Sequence, residues 1–221
     1  MPKRTDNAQF ADLLVSIPNL QWTSKLSIPL HFGSTVVIPD GDFTEVPQFE
    51  LNNAQQVVNL ADNDSHTEYL LWKDAADLSA KLWLARKPSS LEAKIETTDN
   101  MYLNPNGSDL TKSDSVIIGL QGPKQSGLWR IVLAEVDGKP VAQILEAPNG
   151  IMKDSVKLEP RIMTEGTKRT YTVNLPDAGL GFSNEAWKEG VQISFLVNDN
   201  DGRGHKGWIE LHRGFGQTPD P

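Results

Sequence analysis

The chain contains no cysteine. Disulfide staples, thiolate zinc centres, iron–sulfur clusters and cysteine nucleophiles are therefore excluded. Histidine is scarce as well. His31, His66, His205 and His212 form no His-x-His or His-Glu-x-x-His spacing, so a zinc centre with three or four ligands has no support in the pattern. No run approaches the roughly 18 apolar residues of a membrane-spanning helix, and Met1-Pro-Lys-Arg-Thr-Asp leads into no apolar core of a secretion signal. Positive charge is outnumbered, with 21 Lys and Arg against 29 Asp and Glu, for a formal net charge of −8. Duplex DNA and anionic membranes are poor partners for such a surface, whereas neutral ligands and cations suit it. The nucleophile elbow Gly-x-Ser-x-Gly, the P-loop and the dinucleotide fingerprint are absent too. Glu135, Glu146, Glu159 and Glu165 are candidates for a glycosidase carboxylate pair, but they fall on or beside strand patterns where glutamates ordinarily face water.

What the chain has is turns and short alternating runs. Seventeen Gly and 14 Pro in 221 residues exceed what a helical bundle tolerates. Strand patterns are expected at Thr35–Ile38, Gln56–Leu60, Glu68–Trp72, Ala80–Ala85, Leu91–Thr97, Ser115–Leu120, Leu128–Glu135, Pro140–Glu146, Val156–Thr164, Arg169–Val173, Val191–Val197 and Gly207–His212. Between them stand turn markers such as Lys87-Pro-Ser-Ser, Asn104-Pro-Asn-Gly and Asp137-Gly138, the last a strong hairpin signal. Short helices are expected at Ala8–Val15 and near Leu175–Leu180, with a turn around Asn184–Trp187. This spacing predicts an all-β fold, a two-sheet antiparallel sandwich. Residues 1–30 read as an N-terminal extension packed on one domain spanning residues 31–221.

Clustered oxygen donors and aromatics supply the candidate sites. Asn198-Asp-Asn-Asp-Gly202 offers several oxygens in one turn, which suits a hard cation such as calcium and equally an ordinary solvated hairpin turn. Asp40-Gly-Asp42 and Asp62-Asn-Asp64 are similar acidic turns, and Asp99 and Asp114 can join such a site from elsewhere in the fold. Of six tryptophans, Trp83 sits in an apolar alternation and reads as core. Trp129 and Trp208 lie in strands and can face either core or groove. Trp72, Trp187 and Trp22 lie nearer loops. An exposed aromatic face stacks on the C–H surface of a sugar, although large aromatics are more often buried for packing.

Four blocks, in order, resemble the family 9 carbohydrate-binding modules and their relatives. They are Asp77-Leu-Ser-Ala-Lys-Leu-Trp-Leu-Ala85, Ser113-Asp-Ser-Val-Ile-Ile-Gly119, Leu128-Trp-Arg-Ile-Val-Leu133, and the hairpin from Phe195 to His212 that runs on to Gly214-Phe-Gly-Gln-Thr-Pro-Asp-Pro221. The resemblance implies a sandwich of jelly-roll-like topology, no catalysis, calcium ions that hold loops, and sugar held by aromatic side chains. It also implies a larger carbohydrate-active protein with an adjoining catalytic domain, outside the cell or in the periplasm. It places Arg130 near the sugar, and Trp129, Trp208, Phe215 and Trp72 are the aromatics available around it. Asp199, Asp201, Asn198, Asp99 and Asp114 are the expected calcium ligands. The sequence departs from the sugar-binding members at several positions. Leu110, Thr111 and Lys112 stand where a tryptophan is usual, Ile117 where an acid is usual, and Gln217 and Thr218 where a second tryptophan is usual. A structural sandwich domain that has lost its sugar site is the alternative reading.

Overall fold

The computed structural model describes the backbone of residues 9–17 and 22–30, and the full residues of 35–60, 71–104, 109–153, 156–202 and 204–216. The chain divides into two units, Met1–Val37 and Ile38–Pro221. In the first, β1 (Gln9–Ile17) pairs antiparallel with β2 (Trp22–Leu30). The helix expected over Ala8–Val15 is thus corrected to a strand. Ala11, Leu13, Val15 and Ile17 alternate with period two, and a complementary strand close in sequence fixes that period where a helical reading of Phe10, Leu13 and Leu14 does not.

The second unit carries two antiparallel sheets. Its elements run β3 (Phe49–Leu51), β4 (Val57–Asn59), β5 (Leu78–Lys87), β6 (Ser90–Asp99), β7 (Ser115–Gln121), β8 (Trp129–Val136), β9 (Lys139–Glu146), β10 (Arg161–Glu165), β11 (Lys168–Pro176), α1 (Asp177–Leu180), α2 (Asn184–Glu189), β12 (Gln192–Asp199) and β13 (Gly207–Glu210). The five-stranded sheet has the order β10-β11-β6-β5-β3, and the six-stranded sheet β4-β13-β12-β7-β8-β9. This is the expected all-β sandwich. Asp137 and Gly138, both at positive φ, turn β8 into β9 as the Asp-Gly pair predicts.

Strand alternation decides which side chains face the core. Across the five-stranded sheet one row is Phe49, Leu82, Ile95, Tyr171 and Ile162. Across the six-stranded sheet one row is Phe195, Ile118, Ile131 and Ile144. Leu82, Ile95, Phe195, Ile118 and Ile131 are fully buried. The outward face of the six-stranded sheet is also partly apolar. Ile117, Val132, Ala134, Leu196 and Trp208 form a second buried cluster with Leu110, which stands in a short 3-10 turn, and Phe215 packs against it.

Some expected strands are shorter than the pattern suggests or absent. Thr35–Ile38 forms no strand, and of the Val156–Thr164 run only Arg161–Thr164 lies in a strand. Residues 61–70, including Glu68–Leu70 and the Asp62-Asn-Asp64 turn, lie outside the described residues, as do His31 and Gln217–Pro221. The three-residue β3 was not legible, because so short a run carries no period.

Candidate functional site

Two constellations emerge, at different places on the sandwich. The first is an internal acid cluster at one end. Asp99 is the last inward-facing residue of β6 and Asp199 the last of β12, while Asp77 and Asp114 directly precede β5 and β7. Strand alternation thus turns carboxylates from both sheets toward one another. Asp99, Asp114 and Asp199 each place an oxygen within 4.8 Å of the others, and all three are buried. Backbone N–H groups fix the set: Met101 donates to Asp99 at 2.8 Å, Asn200 to Asp114 at 2.8 Å, and Leu103 to the other Asp114 oxygen.

Lys206 is the cation of this end. Its side chain is 2 % exposed, and its Nζ lies 2.9 Å from Asp77, 3.1 Å from Asp199 and 3.0 Å from Asp201. Burial works against its charge, but the three carboxylates outweigh that and hold its pKa above the ordinary lysine value. Three carboxylates meet this one ammonium, and Asp99 and Asp114 cluster with Asp199 beside it. Asp99 Oδ2, Asp199 Oδ1 and Asp201 Oδ1 are buried without a hydrogen-bond partner among the described residues. Burial pushes the Asp99 carboxyl up to about 7 and the Asp199 carboxyl up to about 6. It pushes Asp114, with the Asp99 charge adding to the effect, up to about 8. Unsatisfied buried carboxylate oxygens with more negative charge than their lysine can balance fit a hard divalent cation with oxygen ligands.

The second constellation lies on the outward face of the six-stranded sheet. Gln192 stands opposite Gln121, Ser194 opposite Gly119, Gly119 opposite Arg130, and Arg130 opposite Glu146. These side chains therefore share one face across four strands. Phe215 covers Gly119, where an added Cβ would lie 2.4 Å from the phenyl ring. The Arg130 guanidinium sits 5.4 Å from the centroid of that ring. Arg130 is 8 % exposed and its Nε has no partner among the described residues. His212 Nδ1 lies 3.2 Å from Ser194 Oγ. The Phe215 turn is anchored from below by the buried Glu210 carboxylate, which accepts from the Trp208 indole at 3.0 Å and from the backbone N–H of Gly214 and Gly216 at 2.8 Å each. The result is a half-buried aromatic ring over a guanidinium, surrounded by two amides, a hydroxyl and an imidazole.

The structure brings some expected residues together and separates others. Asp99, Asp114, Asp199 and Asp201 converge. Asn198 does not: alternation turns it to the opposite face from Asp199, where its amide donates to Ser115 Oγ at 2.9 Å. The expected Asn198–Gly202 turn is likewise corrected, since β12 continues through Asp199 and the turn follows it. Arg130 and Phe215 meet. Trp129 is corrected from groove to core: it is fully buried and its indole N–H is bound to the Leu180 carbonyl at 3.1 Å. Trp208 is 8 % exposed, within the outward cluster and stacked on His205 at 5.9 Å. Trp72 lies in a loop, half-buried, with its indole N–H held by the Leu78 carbonyl at 2.8 Å. Trp187 spends its N–H on Asp177 at 3.0 Å, beneath the Arg86 guanidinium. Lys206, Asp77 and Glu210 were missed. The available signal was Lys206 standing alone between an acidic turn and the apolar start of a strand, a position where a lysine is buried only if paired.

The fold and these sites define a two-sheet β-sandwich with a polar, aromatic-covered outer face and an internal carboxylate cluster. No protein-family model matches the chain, and no curated protein matches it. Among solved structures it is similar to a carbohydrate binding module family 9 from Caldicellulosiruptor kristjanssonii in complex with cellotriose, at 14 % identity over 81 % of this chain and 80 % of that one, with a TM-score of 0.47. It is also similar to a family 9 module from the same organism in complex with glucose, at 14 % identity over 70 % of this chain and 80 % of that one, with a TM-score of 0.44.

Proposed function

We propose that this protein is a non-catalytic carbohydrate-binding module. The observation that carries the reading is the outward patch in which the Phe215 ring overlies Arg130 among Gln121, Gln192, Ser194 and His212. A sugar presents an apolar C–H face and a rim of hydroxyls. A half-exposed ring meets the first, and guanidinium, amide and hydroxyl groups meet the second. The patch lies where the family resemblance of the sequence places the sugar. Calcium, held by Asp99, Asp114 and Asp199 with Asp201 beside them, would supply the positive charge that Lys206 alone does not, and would tie the Asn200–Lys206 loop to the sheet ends. The same reading makes the chain an accessory module of a larger carbohydrate-active protein, working outside the cell or in the periplasm beside a catalytic domain.

The test is binding of neutral oligosaccharides, with cellotriose and glucose as the first ligands, by isothermal calorimetry. Wild type is expected to bind. Phe215→Ala and Arg130→Ala are each expected to weaken binding about tenfold or more while the fold is retained. Unchanged affinity in both variants overturns the site. One observation favours a second reading, a structural sandwich without a sugar site: Trp129 and Trp208, the two strand tryptophans nearest Arg130, are both buried. Silence across a broad panel of neutral glycans by a folded protein would establish that reading.

A further inference from the structure

The opposite sheet carries a groove that the proposed site does not use. It has a volume of about 520 Å³ and is lined by Glu92, Lys157, Glu159, Arg161, Thr172 and Asn174, among others. Small-molecule sites commonly enclose about 300–1,000 Å³. Cross-strand register explains the lining. On the outward face of the five-stranded sheet Arg161 stands opposite Thr172, Thr172 opposite Lys94, and Lys94 opposite Trp83, while the next row pairs Asn174 with Glu92. The chain between β9 and β10 supplies Lys157 and Glu159 as the outer wall.

Three features distinguish this groove from an ordinary polar sheet face. First, its donors and acceptors are idle: no side-chain hydrogen bond or ion pair joins Lys157, Glu159, Arg161, Thr172 or Asn174 to any other described residue, and only Glu92 is engaged, with Lys87 at 3.4 Å. Second, its charge is nearly balanced. Glu92 and Glu159 offset Lys157 and Arg161, and Lys94 at the far end leaves one positive charge over, so selectivity rests on hydrogen bonding more than on net charge. Third, the row has an aromatic end. The Lys94 ammonium lies 4.2 Å from the Trp83 ring centroid and 5.1 Å from that of Phe43. The Trp83 indole N–H beneath it is buried without a partner among the described residues.

We infer that this face is a second binding site, for a neutral oligosaccharide lying across β10, β11 and β6. Adjacent strands are about 4.8 Å apart, close to the length of one sugar ring, so successive rings meet successive strands. Each ring then finds a polar side chain: Arg161 on β10, Thr172 and Asn174 on β11, Glu92 on β6. Carboxylate, guanidinium and amide groups bind paired hydroxyls from both sides, and Lys94 over Trp83 and Phe43 closes the far end. The inference rests on the carbohydrate reading and extends it from one patch to two faces, which lets one module hold two chains or two stretches of one chain.

The experiment is backbone amide NMR titration of the full chain with cellohexaose, with hexagalacturonate as the acidic comparison. Two double variants separate the faces: Arg130→Ala with Phe215→Ala, and Thr172→Val with Asn174→Ala. The second pair is at the surface of β11, and circular dichroism checks its fold. In wild type, cellohexaose is expected to shift amides of β6, β10 and β11 as well as those around Phe215. The β6–β11 set is expected to persist with unchanged affinity in the first variant and to weaken about tenfold in the second. Shifts confined to the Phe215 face, or a β6–β11 response indifferent to Thr172→Val with Asn174→Ala, overturn the second site and leave the first intact. A preference of this face for hexagalacturonate overturns its assignment to neutral glycans. If no amide on either face responds to any neutral glycan, the carbohydrate reading falls and the second site with it.

Discussion

At the residue scale, Lys206 is the side chain with most at stake. It stands buried among Asp77, Asp199 and Asp201, and removing it leaves three carboxylates to repel one another in a site shielded from water. Breaking a buried ion pair by removing one partner costs about 3–5 kcal/mol, and Lys206→Met is expected to fall in that range by urea unfolding. The remaining acids set a pH dependence of unusual sign. The folded carboxyls of Asp99, Asp114 and Asp199, raised by burial to about 7, 8 and 6, stay protonated where the unfolded ones, near 4, have already ionised. The unfolded state thus binds fewer protons between about pH 4 and pH 8, and stability falls as pH rises through that window. In a chelating buffer the melting temperature is expected to decline from pH 5 to pH 8, and millimolar calcium to reverse the decline most strongly at the alkaline end. A native-only ligand at a hundred times its Kd contributes about 2.7 kcal/mol. A profile that is flat with and without calcium would refute the cation assignment.

At the element scale, two glycines decide how close neighbours approach. Gly119 on β7 lets the Phe215 ring lie directly on the sheet, and a methyl there would sit 2.4 Å from the ring. Gly119→Ala is expected to displace Phe215 from Arg130 and to lower sugar affinity about as much as Phe215→Ala does, a comparison calorimetry makes directly. Gly207 opens β13 at φ +150, and a Cβ there would meet the Val58 carbonyl oxygen at 2.1 Å. Gly207→Ala is expected to part β4 from β13 and cost about 1–3 kcal/mol, with loss of hydrogen-exchange protection at the paired positions of Val57–Asn59 as the local readout. Among the long strands, β6 was legible from its alternation, and β7 and β8 from short apolar runs rich in Val and Ile bounded by turn residues. α1 was legible as a short helix, whereas α2 read only as a turn: it is six residues long, and its start is fixed by Ser183 accepting from the Ala186 N–H. β1 was not legible, because Phe10, Leu13 and Leu14 fit a helical spacing while Ala11, Leu13, Val15 and Ile17 fit an extended one, and pairing with β2 decides between them.

At the scale of the whole molecule, the two sheets share one apolar interior, and the outward face of the six-stranded sheet adds a second apolar cluster beside its polar patch. A cavity made in that interior is felt by both sheets. Leu84→Ala, at a fully buried position of β5, is expected to cost about 2–5 kcal/mol and to shift the transitions of both sheets together in denaturant. The acid cluster belongs to this scale as well. Its carboxylates come from β6, the start of β7, the end of β12 and the loop beyond it, and no local spacing connects Asp99 to Asp199. Among the described residues, no helix is long and apolar enough to cross a membrane.

By itself the sequence determined that the chain folds as strands: its alternation, its turn residues and its want of cysteine and of helical period leave a sandwich as the economical way to bury 38 % hydrophobic residues. It also determined which residue types were available for a site, with Arg130, Phe215 and the aspartates on view from the start. Tertiary structure decided which of them meet. The pleat sends Asn198 and Asp199 to opposite faces although they are neighbours in the chain. Trp129 is sent inward and Arg130 outward for the same reason. Lys206 is carried from an acidic loop into the interior. A period of two fixes that neighbours part, but which face is core, and what waits there from the other sheet, is settled only when the strands pair.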